Sequence, residues 1–250
     1  MIQINNFPYS RTGNHIIQYL FGVVLSKDKG YNLYTPEIKG FSNIKNIINK
    51  KSIQLNHISV GYGQQYTDYQ RLINHNGSIL IDGYLQNYIY YKNHIDELKQ
   101  YIITDEKSDY TPNDNDLVMH VRLTDYIINN NNVPFLVYDN FIKENLNNYE
   151  NFIIVTDEPT STFITDLLKN NKTKLIHQTM FKDFDLLRQA KNTFISQSSY
   201  SWLTSYFGNA ENIFVPLSIQ RGRYLWLYDP NIYDINLIDK TDNRFKIITF

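Results

Sequence analysis

The sequence predicts an α/β protein whose second half is built on a parallel, doubly wound sheet. Three observations carry that expectation. From residue 116 onward, short apolar runs alternate with helix-length segments, and strands separated by single helices imply parallel pairing. Leu117, Val118, Met119 and Val121 form an apolar strand that stops abruptly on Arg122, Thr124, Asp125 and Tyr126. In open α/β sheets ligands sit outside the carboxyl ends of strands, so chemistry is expected at this exit. Near the start, Ile16, Ile17, Leu20, Phe21, Val23, Val24 and Leu25 make a helix apolar on nearly every face, which is expected to be buried.

Composition excludes several classes. At 250 residues, one large or two small domains are possible, and 42% hydrophobic content is ample for a core. Lys plus Arg number 24 against 25 Asp plus Glu, so no global field attracts nucleic acid. Cysteine is absent, which excludes disulfides and thiolate metal sites and fits a reducing compartment. The apolar run from Ile16 to Leu25 is interrupted by Gln18, too short to span a bilayer and without the basic flank of a signal peptide. No transmembrane segment is expected. The 21 tyrosines fit a sugar-binding surface, and an AT-rich coding sequence explains them equally well.

In order, the chain predicts a strand over 2–5, then the loop Ser10-Arg11-Thr12-Gly13-Asn14-His15 and a helix over 14–27. The amino end of that helix exposes free N–H groups that favour anions, and Gly13 would allow a phosphate close approach. The alternative is a plain loop with Asn14 as cap. A strand over 31–35, helices over 42–51 and 64–74, a strand over 78–82 and an amphipathic helix over 88–103 follow, the last from the spacing of Ile89, Ile95, Leu98 and Ile102. The polar, aperiodic segment 107–116 contains Pro112 and reads as a linker, dividing the chain into 1–110 and 111–250. Asp114-Asn115-Asp116 within it reads as a solvated turn.

Beyond the linker, strands are predicted at 116–122, 151–156, 173–178, 193–197 and 212–216, and helices at 138–148, 159–170, 183–191 and 200–208. This half reads as a Rossmann-like domain. Arg122, at the first strand exit, suits bidentate capture of a phosphate; it equally suits a surface pair with Asp125. Thr156-Asp157-Glu158-Pro159 is accounted for by helix capping. Ser196-Gln197-Ser198-Ser199-Tyr200-Ser201 gathers more hydroxyls at a helix start than a cap needs, and reads as an anion cradle.

Taken together, these stretches resemble the α-1,2-fucosyltransferases, with wider kinship to the α-1,6 and protein O-fucosyltransferases. The family's Gly-Arg-Leu-Gly-Asn-Gln loop and Phe-Gln-Tyr helix correspond to Ser10-Arg11-Thr12-Gly13-Asn14-His15 and Ile17-Gln18-Tyr19. Its Gly-Tyr-Trp-Gln element stands as Gly83-Tyr84-Leu85-Gln86, and its His-x-Arg-Arg-Gly-Asp-Tyr motif as His120-Val121-Arg122-Leu123-Thr124-Asp125-Tyr126. Its Phe-Ser-Asp-Asp turn is echoed by Val155-Thr156-Asp157-Glu158, and its Asn-Ser-Ser-Phe-Ser-Trp-Trp element by Gln197-Ser198-Ser199-Tyr200-Ser201-Trp202-Leu203. The resemblance implies a GT-B-like fold: two Rossmann-type domains with mostly parallel sheets facing a cleft, the amino-terminal one on the acceptor side and the carboxyl-terminal one holding the nucleotide sugar. It also implies metal-independent, inverting transfer of fucose from GDP-fucose to a glycan hydroxyl, with no cofactor.

By the same resemblance Arg122 would clamp the β-phosphate, and His120 and Asp183 would recognise guanine. Ser198, Ser199, Tyr200 and Ser201 would hold phosphate and fucose, and Gly13 and Asn14 would close over the pyrophosphate. Asp125 is the candidate acceptor base, or else the structural partner of Arg122. The sequence departs from the family where its second Arg is Leu123 and its second Trp is Leu203. Losing that Arg leaves open a same-fold enzyme using another nucleotide deoxysugar, or a non-catalytic carbohydrate- or nucleotide-binding module. A cytoplasmic role in glycan assembly, peripheral to a membrane, is the expectation for its place in the cell.

Overall fold

The computed structural model describes residues 1–5, 11–44, 57–60, 68–128, 132–218 and 235–250. They form two compact units: residues 1–105 with 235–238, and residues 106–218 with 239–250. A linker at 107–116 would put the boundary at 110/111 and all later residues in the second domain. Instead the chain crosses at Asp105/Glu106 and returns, Tyr88 N–H donating to Asn236 O at 2.7 Å and Asn236 N–H to Gln86 O at 2.8 Å.

The first unit is a parallel sheet of β1 (Ile2–Ile4), β2 (Leu33–Tyr34), β3 (His57–Val60) and β4 (Ser78–Ile81) in the order β2-β1-β4-β3. Helix α1 (Thr12–Lys29) connects β1 to β2, and α2 (Tyr69–Asn74) connects β3 to β4. As its sequence requires, α1 is buried from Ile16 to Phe21. It packs tightly enough that a Cβ on Gly22 would lie 2.7 Å from Leu33. Gly30 ends it in the left-handed region, φ 63°, which glycine adopts without steric cost. Of the helix expected over 42–51, residues 45–51 lie outside the described residues.

The amphipathic helix expected over 88–103 is broken. A 3₁₀ turn (Tyr88–Tyr90), the short helix α3 (Ile95–Leu98) and a second 3₁₀ turn (Lys99–Ile102) take its place. The periodicity counted Ile89, which is 52% exposed, whereas Tyr90 and Tyr91 are buried. Tyr90 packs edge-on to Phe21, and the Tyr91 hydroxyl donates to Leu85 O at 2.8 Å. Two adjacent buried rings cannot share one face of an α-helix, so the segment turns to seat both.

The second unit is a six-stranded parallel sheet. Its strands are β5 (Leu117–Val121), β6 (Phe152–Thr156), β7 (Thr173–Leu175), β8 (Asn192–Phe194), β9 (Asn212–Leu217) and β10 (Phe245–Thr249), in the order β10-β9-β8-β5-β6-β7. Counted within the unit this is the 6-5-4-1-2-3 order of the doubly wound dinucleotide-binding fold. Leu117, Met119 and Val121 face α5 (Phe135–Glu144) and α6 (Thr162–Leu167). Val118 faces α7 (Met180–Gln189). Burial on both faces explains why β5 and β6 read as continuous apolar runs.

Segment 107–116 is not a solvated linker throughout. Asp116 is fully buried, accepting from Tyr110 Oη at 2.9 Å, Asn113 N at 3.0 Å and Asn151 Nδ2 at 2.6 Å. Asp114 is the exposed member, paired with Lys191.

Candidate active site

In the second unit the strand order reverses between β5 and β8, and their carboxyl ends lie side by side. That reversal opens the crevice in which doubly wound folds bind ligands. The β5 exit carries His120 and Arg122; the β8 exit carries Ser196 to Ser201.

Arg122 is mostly buried and its guanidinium is engaged twice, by Asp125 at 2.8 Å and by Asp157 at 2.6 Å. It also lies 5.7 Å from the centre of the Tyr126 ring. Asp157 is the stiffer partner, accepting in addition from Leu123 N at 2.9 Å and Thr124 Oγ1 at 2.6 Å. It therefore braces the entry to the five-residue helix α4 (Thr124–Ile128) from the neighbouring strand. The helix that follows Asp157 in sequence, α6, is capped by Ser161, so the capping expected of the Thr156–Pro159 turn is supplied by a later residue. Asp125 is the more exposed partner of Arg122.

His120 is nearly inaccessible, and its Nδ1 lies 2.7 Å from Ser196 Oγ. Burial pushes its imidazole down to about 4, with Asp157 pulling the other way. At pH 7 the ring is neutral, one nitrogen donating and the other accepting. Its plane lies against Tyr200, 5.4 Å between centres. Tyr200 in turn donates to Met180 O at 2.5 Å and packs edge-on to Phe184. These contacts tie helix α8 (Ser199–Tyr206) to α7.

Asp183, in the first turn of α7, is only 7% exposed, and its Oδ1 has no hydrogen-bond partner among the described residues. Burial pushes its carboxyl up to about 6, with His177 and Gln178 pulling the other way. Asp183 also raises the Tyr200 hydroxyl, second to burial. His120, Tyr200 and Asp183, far apart in sequence, thus form one chain of neighbours.

The serines divide by depth. Ser198 caps α8, accepting from Tyr200 N at 3.3 Å, and Ser199 is half-buried beside it. Ser201 is fully buried, its hydroxyl donating to Ser198 O at 3.2 Å. Tyr126 spans the reversal by donating to Gln197 O at 2.6 Å. That Asp157 would hold Arg122, and Ser196 meet His120, has no signal in the local sequence. The partners are far apart along the chain, and only the pairing of β5 with β6 and β8 brings them together.

In the first unit, Gly13 and Asn14 lie at a second reversal, between β1 and β4. Asn14 does not cap α1, whose N-cap position is Arg11; its Oδ1 accepts from Gln86 Nε2 at 2.8 Å. Gln18 Nε2 donates to Gly83 O at 2.7 Å. Residues 13–18 and 83–86 are therefore one structure. Leu85 between them holds φ 53°, a conformation that costs a non-glycine residue on the order of 1–2 kcal/mol.

Among the described residues no helix is long and apolar enough to cross a membrane. No protein-family model matches the sequence, and no curated protein matches it. Solved structures do match. A mutant of Arabidopsis thaliana FUT1 in complex with GDP aligns at a TM-score of 0.56 and 9% identity, over 86% of this chain and 70% of that one. The E. coli heptosyltransferase WaaC with ADP aligns at 0.54 and 8% identity, over 99% and 92%. A glycosyl transferase family 9 protein from Veillonella parvula aligns at 0.53 and 10% identity, over 100% and 85%. At these identities the likeness is one of fold: the chain has the α/β, parallel-sheet fold of the GT-B glycosyltransferases.

Proposed function

We propose that the protein is an inverting glycosyltransferase that moves L-fucose from GDP-fucose to a glycan hydroxyl without a metal. The observation that carries this reading is Asp183. A buried carboxylate oxygen without a partner is costly unless a ligand supplies the donor, and guanine offers adjacent N1–H and N2–H donors to such an acceptor. His120 and Tyr200 would border the same base. Arg122 would face the diphosphate and stabilise the charge that grows on it as the bond to the sugar breaks. Asp157 and Asp125 hold its guanidinium in place, and Asp125, already engaged by Arg122 and Thr124, serves here as a positioning group. Ser198 and Ser199 would contact phosphate or sugar. The fold likeness to FUT1 with GDP supports the choice of nucleotide.

A second reading has its own support. Two carboxylates on Arg122 leave the cluster with a formal charge of −1, and Leu123 replaces the family's second cation. Heptosyltransferase WaaC, with ADP, covers more of both chains. Another nucleotide sugar on the same scaffold is therefore the alternative. Calorimetric titration of GDP, ADP, UDP and dTDP into wild type, Arg122→Ala and Asp183→Asn separates the two. The expected result is preference for GDP, lost in Asp183→Asn, with weaker binding in Arg122→Ala. Preference for ADP, or binding indifferent to Arg122, would remove the GDP-fucose reading.

A further inference from the structure

His120 and Ser196 meet across the reversal between β5 and β8, the ring Nδ1 lying 2.7 Å from the hydroxyl oxygen. Both side chains are buried, His120 at 5% exposure and Ser196 at 1%. Tyr200 lies against the face of the ring, 5.4 Å between centres. Tyr138 Oη donates to the His120 carbonyl at 3.3 Å. Backbone, ring plane and Nδ1 are thus all held by the protein. Nε2, the outer nitrogen, has no hydrogen-bond partner among the described residues.

A neutral imidazole carries one proton, and the hydroxyls behind it decide which nitrogen has it. Ser201 Oγ spends its own proton on the Ser198 carbonyl at 3.2 Å and lies 3.4 Å from Ser196 Oγ. With the proton on Nδ1, the ring would donate to Ser196, and the Ser196 proton would be left with Ser201 Oγ. At 3.4 Å that pair is longer than a sound O–H···O bond, which spans roughly 2.5–3.0 Å. A buried donor would then go nearly unmade, which is the costly omission. With the proton on Nε2, Ser196 spends its only proton on Nδ1 at 2.7 Å, and neither hydroxyl is wasted. The hydroxyl network favours this second arrangement.

We propose that Ser196 is a positioning and specificity-determining residue: by donating to Nδ1 it fixes the His120 proton on Nε2, so that the ring offers a ligand a hydrogen-bond donor. Such a donor is answered by a carbonyl oxygen. Guanine carries one where adenine carries an amino group, which cannot accept. The inference rests on the reading of this crevice as a guanine-nucleotide site, and it supplies that site with discrimination against adenine.

The test combines nitrogen NMR of histidine-labelled protein with calorimetry of GDP and ADP, on wild type and Ser196→Ala, at pH 7, where the ring is neutral. Couplings between the ring nitrogens and the carbon-bound ring protons report which nitrogen bears the proton, and His120→Gln assigns the signals. Wild type is expected to carry the proton on Nε2. Ser196→Ala is expected to show both tautomers in exchange, and to narrow the preference for GDP over ADP about tenfold. A wild-type proton on Nδ1 would overturn the proposal. So would a Ser196→Ala variant with a lowered melting temperature but the same tautomer and the same GDP-to-ADP ratio. Either result leaves the GDP reading standing, whereas wild type without preference for GDP would overturn both. Should Ser196→Ala not fold, Ser196→Cys, of similar size and a far weaker donor, takes its place.

Discussion

Two buried titratable side chains set the acid–base behaviour of the site, and they pull in opposite directions. Asp183 holds its proton up to about 6 in the folded chain against an ordinary 3.8, so the native state binds more protons than the unfolded one across that window. Its contribution to stability therefore falls as pH rises from about 4 to 6. His120, pushed down to about 4, binds fewer protons when folded, and its contribution is lost as pH falls through the same window. Asp183→Asn is expected to raise the melting temperature at pH 7, by no more than about 2 kcal/mol in stability, and to lose that advantage by pH 4. Thermal unfolding against pH reads both signs. A variant less stable than wild type at pH 7 would show that Asp183 is a structural hub and not a ligand-facing group. Stability gained together with base binding lost is the usual signature of a functional site. At this scale residue identities were legible in the sequence and their partners were not. Arg122 stood out at its strand exit, but that two carboxylates share it depends on Asp157 arriving from β6.

At the scale of the element, the long, evenly apolar pieces were legible: β5, β6, α1, and the alternation of strand and helix beyond residue 116. The misses have physical causes. β3 and β10 were not expected; β10 is an edge strand with Lys246 and Ile247 exposed, so it lacks the doubly buried pattern of its neighbours. The 88–103 helix failed because tyrosines, not the isoleucines that supplied the period, fill the core. Close approach between elements is a further fact invisible to pattern. A Cβ on Gly208 would lie 2.1 Å from Thr204 O and 2.5 Å from Arg188 O, both backbone atoms that cannot swing aside. Gly208→Ala is expected to force the ends of α7 and α8 apart and to cost about 3 kcal/mol or more. Denaturant unfolding would show it as a lower midpoint; an unchanged midpoint would mean the two helix ends are not in contact.

At the scale of the molecule, the chain does not divide into successive halves. Asn236 pairs with Asn87 in the first unit, and β10 closes the edge of the second. Truncation after Leu217 removes both, exposing the outer edge of β9 and leaving the Gln86 and Tyr88 backbone groups without partners. It is therefore expected to lower the unfolding temperature of both units. A truncated chain that melts like the full one would show that these late segments add nothing to stability.

The sequence by itself determined the class of the fold, the existence of polar strand exits and the residue types placed there. These depend on local apolar periodicity and on where it stops. Only the tertiary structure decided which exits meet. The crossover order that puts β8 beside β5 brings Ser196 to His120, and the packing of α7 on α8 brings Asp183 to Tyr200. The free energy of those contacts comes from burial shared between segments more than 70 residues apart for His120 and Ser196, and no local pattern records which distant segment will share it.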